Sequence, residues 1–77
     1  MNSKEYQLKR AEIESVNARI QSVKNRMDQC SADIKRFAAF VNAEPFLGLA
    51  QKQLANLEKE KADLDGRLAR LNEQLAA

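Results

Sequence analysis

Histidine is absent from this 77-residue sequence, cysteine and proline occur once each, and glycine occurs twice. Each shortage closes off a class of chemistry. Without histidine there is no imidazole to serve as a general base or to hold zinc. Cys30 alone cannot form an intrachain disulfide, and a lone cysteine suits a reducing compartment. Two isolated glycines make no phosphate-cradling loop. No run approaches the roughly 18 apolar residues of a membrane span, and the charged opening MNSKEYQLKR does not read as a signal peptide. The expectation is a small, complete, single-domain cytoplasmic protein that binds neither metal nor cofactor and does not enter a membrane. A chain this short buries little of its surface and commonly needs a staple. With disulfide and zinc set aside, a second copy is the staple that remains.

What is present is an apolar rhythm. Ile13, Val16, Ile20, Val23, Met27, Cys30, Ile34, Phe37 and Val41 follow one another at spacings of three and four. That is a heptad seam with Ile13 at a and Val16 at d. Tyr6 extends it backwards at a, and Lys9 interrupts it at d. A second seam runs through Leu47, Ala50, Leu54, Leu57, Lys61, Leu64, Leu68, Leu71 and Leu75, broken only by Lys61 at a. No stretch alternates with the period of a strand, so both seams predict helices. The stretch RFAAFVNAEPFLGLAQ lies between them. Pro45 cannot continue the first helix and suits the first turn of a second. The expected organisation is an N-terminal arm over 1–12, a helix 1 seam over 13–42, a turn over 43–46 and helix 2 over 47–77.

A short connection makes the helices antiparallel neighbours, giving an all-α two-helix coiled-coil hairpin. Setting Val41 opposite Ala50 places Phe37 with Leu54, Ile34 with Leu57 and Met27 with Leu64. It also puts the two imperfect seam positions, Cys30 and Lys61, in one layer. In this register the arm overhangs helix 2 and leaves Tyr6 and Leu8 without partners. One edge sets Lys24 near Asp65. The other sets Arg26 near Arg67 and Asp33 near Glu60, like charges in both cases, with opposite-sign partners only on the diagonals. A poorly matched edge is where a second hairpin would dock, with Arg26, Asp33, Phe40, Glu60 and Arg67 as its interface. The expected assembly is a homodimer forming a four-helix bundle. Alanines recur at f in helix 1 and at b in helix 2, and read first as good helix formers on solvent-facing positions.

Catalysis finds little support. Cys30 sits in an apolar seam where a thiol is inert. Carboxylates two residues apart, such as Asp63 and Asp65, point to different sides of a helix. The expected class is a non-enzymatic protein-interaction factor: an adaptor, accessory or inhibitory protein acting through an unidentified protein partner. Phe46, Leu47 and Leu49 crowd the turn beyond what closing it requires; they read first as a hydrophobic plug capping the bundle end and otherwise, with Tyr6 and Leu8, as the candidate partner-binding residues. The alternative is a nucleic-acid-binding regulator. Residues 1–42 carry eight basic and five acidic side chains, against five and six in 43–77, so Arg19, Lys24, Arg26, Lys35 and Arg36 would supply that face. They are spread around the helix, and no recognition motif accompanies them.

Overall fold

The computed structural model describes residues 2–40 and 44–76. Val41, Asn42 and Ala43, which carry the expected end of helix 1, the expected start of the turn and the Val41–Ala50 layer, lie outside the described residues, as do Met1 and Ala77. Two helices, α1 (Ser3–Phe37) and α2 (Glu44–Ala76), pack against each other as a hairpin.

α1 starts where Asn2, in extended conformation, turns its side chain onto the first helical turn. Its Oδ1 accepts the Glu5 backbone N–H at 2.8 Å, and its carbonyl accepts that of Tyr6 at 3.0 Å. The Asn2 side chain thereby satisfies one of the N–H groups that every helix start leaves unpaired, and its carbonyl accepts the first intrahelical bond. The arm expected on helix 1 is helical from Ser3 onward, capped by Asn2 and continuous with the seam. At the other end the Ala39 and Phe40 N–H groups reach only three residues back, to the carbonyls of Arg36 and Phe37. Such tightening is how helices finish, and Lys35 and Arg36 place positive charge at the carbonyl end.

α2 opens on Glu44 and Pro45, with the carboxylate at the positive end of the helix dipole and the proline where its missing N–H costs nothing. α1 therefore ends sooner than the expected 42, and α2 begins sooner than the expected 47. The intervening 38–43 is an ordinary length for a connection between antiparallel helices.

The pair forms a rod of 61 × 14 × 13 Å with one apolar seam along its length. Within it the two heptad rows are not equivalent. The d residues Val16, Val23 and Cys30 of α1 and Ala50, Leu57, Leu64 and Leu71 of α2 are all buried, with Ile20 the one buried residue at a. Ile13, Met27, Ile34, Leu54 and Leu68, all at a, pack on that core only half-covered. Position a is flanked by e and position d by g, so the hairpin is closed on its g side and open on its e side.

The register differs from the expected one. The Cys30 thiol donates to the Ala50 carbonyl at 3.0 Å, Arg26 meets Glu60, Arg67 meets Glu12, Lys9 Nζ meets Gln74 Oε1, and the Phe37 ring faces Phe46. Each α2 partner lies earlier in the chain than expected, by about one heptad on average. Cys30 therefore does not share a layer with Lys61, whose ammonium instead pairs with Asp65 one turn along α2 at 2.7 Å. α2 also reaches back as far as Lys9, so less of α1 overhangs than residues 1–12.

Candidate functional site

At the turn end of the rod Phe37 packs on the core and Leu47 is half-buried. Outside them stand three large apolar side chains: Phe40 is 63% exposed, Phe46 61% and Leu49 68%. Phe46 leans on Phe37 with ring centroids 6.1 Å apart and planes 41° apart, and the Arg36 guanidinium lies 5.5 Å from the Phe37 centroid. This tilted contact touches Phe46 on one side and leaves most of its ring in water. Phe40 and Phe46 are about equally exposed in the single chain. At the opposite end of the rod Tyr6 and Leu8 are exposed too, at 46% and 63%.

The g edge, where like charges were expected to oppose, is electrostatically matched. Arg26 pairs with Glu60 at 4.0 Å, and Arg67 donates to Glu12 at 2.8 Å. Asp33 accepts from Arg36 at 2.7 Å within α1. The one-heptad register shift turns the expected clash between Arg26 and Arg67 into the Arg26–Glu60 pair. A mismatch therefore gives no reason to place a second copy on Arg26, Asp33, Phe40, Glu60 and Arg67. The Arg67 hydrogen bond, reinforced by the charges of Arg67 and Lys9, holds the Glu12 carboxyl below the usual glutamate range against a smaller opposing effect of desolvation. Glu12 was not singled out from sequence, because its partner depends on the register.

The five basic residues of α1 expected to supply a nucleic-acid face do not gather into one strip. Arg26 and Arg36 are engaged with Glu60 and Asp33. Arg19, Lys24 and Lys35 are exposed, and none has an ion-pair partner among the described residues. Among the described residues no group of three or more histidine, cysteine or acidic side chains is placed to hold a metal, and no helix is long and apolar enough to cross a membrane. Cys30 is buried and hydrogen-bonded to backbone, with no base or cation at its sulfur. No known protein family, curated protein or solved structure matches this chain. The functional reading therefore rests on the geometry of the hairpin.

Proposed function

We propose that this protein is a non-enzymatic, cytoplasmic interaction factor. Two hairpins associate into a four-helix bundle, and the apolar turn end engages a protein partner. The observation that carries the reading is the exposure of Phe40, Phe46 and Leu49 at the end where Phe37 packs on the core. Self-association is supported by shape. The radius of gyration is 17.5 Å, where a compact chain of this length would have about 11.5 Å. Half-covered Ile13, Met27, Ile34, Leu54 and Leu68 line one side of the rod. Such a row is completed by another helical layer more readily than by water.

The test pairs melting with affinity capture from the native cell, with and without nuclease, for the parent chain, Phe40→Ala and Phe46→Ala. The reading expects Phe46→Ala to melt within about 0.5 kcal/mol of the parent, as surface substitutions do, and to lose the captured protein. Capture that disappears with nuclease would select the basic face of α1 and a nucleic-acid partner instead. A loss of several kcal/mol on either substitution, with capture retained, would make the cluster a plug for the bundle end.

A further inference from the structure

The open side of the rod carries charges as well as half-covered apolar residues, and their distribution bears on how a second copy lies on it. The e positions flanking the open row are basic on α1, at Arg10 and Lys24, and acidic on α2, at Glu44, Glu58 and Asp65. No e position of α1 is acidic and none of α2 is basic. Lys24 and Glu58 lie at nearly the same level along the rod, on opposite sides of the open row. Both are exposed, and neither has an ion-pair partner among the described residues. Asp65 already holds Lys61.

The surface available fits one more copy. The chain exposes 5812 Å² at a mass of 8.7 kDa, where a compact protein of that mass exposes about 4,700 Å². The excess of about 1,100 Å² is somewhat above the roughly 800 Å² that one partner contributes to a standard interface.

Resting on the self-association proposed above, we infer that two copies meet through their a/e faces, related by a two-fold axis running along the rod, so that both turn ends lie at the same end of the dimer. A two-fold along the rod keeps levels and exchanges sides. It lays α1 of one copy on α2 of the other, and Lys24 of each over Glu58 of its mate, twice per dimer. A two-fold across the rod keeps sides and inverts levels. It lays α2 on α2, where acidic e residues meet acidic or neutral ones and find no cation, and α1 on α1, where Lys24 finds no carboxylate at e. Opposed like charges select against an arrangement more strongly than surface pairs reward one, and here both effects favour the axis along the rod. The arrangement also joins the two sets of Phe40, Phe46 and Leu49 into one apolar end twice as broad, which a single hairpin does not possess.

Two measurements on the full chain decide it. Sedimentation equilibrium establishes whether a dimer exists, and a single 8.7 kDa species at micromolar concentration overturns the self-association reading and this inference with it. In the dimer, a nitroxide on Lys4→Cys, with Cys30 replaced by Ala, reports the arrangement. Lys4 is exposed near the end of the rod. Helices of 10–12 Å diameter with 1.5 Å rise per residue put the two labels about 20–30 Å apart when like ends coincide, and about 50 Å apart when they do not. The short distance is expected, and the long one overturns the inference while leaving the dimer standing. Lys24→Glu should weaken the dimer about tenfold, and adding Glu58→Lys should restore it. A dimer indifferent to Lys24→Glu would also overturn the arrangement, since the helicity of this exposed variant shows independently that it folds.

Discussion

Replacing Lys61 by leucine tests how much the one charged residue of the α2 seam costs the fold. The Lys61 side chain is 30% exposed, its ammonium 2.7 Å from an Asp65 carboxylate that is itself 47% exposed. Burying a leucine fully is worth about 1.5–3 kcal/mol, so covering some seven-tenths of one at this site gives about 1–2 kcal/mol. The lysine methylenes already contribute part of that by lying along the seam. Losing an exposed i,i+4 pair subtracts roughly 0.3–0.5 kcal/mol. Helix propensity is nearly unchanged between the two residues, and Asp65 can hydrate once its partner is gone. The balance is a gain of about 0.5–1 kcal/mol, which for a chain of this size raises the melting temperature by about 2–8 °C. Thermal melts followed by circular dichroism at one fixed chain concentration would read it, because the melting point of a self-associating chain depends on concentration. A loss of more than about 1 kcal/mol would instead show that Lys61 and Asp65 hold the fold together as a specific ion pair.

Leu57→Ala, at a buried d position of the seam, should cost about 2–5 kcal/mol by denaturant titration, whereas Leu49→Ala at the exposed turn end should cost under about 0.5 kcal/mol. Gly66→Ala should stabilise by roughly 0.5–1 kcal/mol in thermal melts, because Gly66 lies within α2 and an added Cβ would meet nothing closer than the flexible Arg70 guanidinium at 3.7 Å. The Glu12 carboxyl should titrate below an ordinary glutamate when followed by carboxyl-resolved NMR, and Arg67→Ala should return it to the ordinary range. Because the folded-state value is the lower one, the Glu12–Arg67 contribution is fully present above the unfolded-state value. It is lost as pH falls through the folded-state value, so Arg67→Ala should flatten the acid side of the stability profile.

Two helices, their antiparallel packing and the membership of the seam were legible because spacings of three and four admit no other regular structure. The register was not. Leucine, isoleucine and valine fill layer after layer, so sliding one helix by a heptad replaces each apolar layer with another, and only the connection reports the difference. That report is faint here, because Ala38, Ala39 and Phe40 after the last residue of α1 are all compatible with helix and carry no stop signal. The unequal burial of a and d was equally hidden, since both rows are apolar and the rotation of each helix about its axis is set by packing. The edge pairs inherited both uncertainties. Arg26 and Glu60 were recognisable only as diagonal neighbours, and Glu12 with Arg67 not at all, although the residues concerned were in plain view. At the turn end the surplus of large apolar side chains was legible from composition, but whether they plug the bundle end or stand bare was not, nor was the near-equal exposure of Phe40 and Phe46.

Equilibrium sedimentation of the unmodified chain at micromolar concentration reads its self-association directly. The hairpin's open a/e face predicts a species of twice the 8.7 kDa chain mass, dissociating on dilution with a single association constant. A fully helical species of 8.7 kDa at every concentration would contradict it, and would show that Ile13, Met27, Ile34, Leu54 and Leu68 remain half-exposed in the working protein.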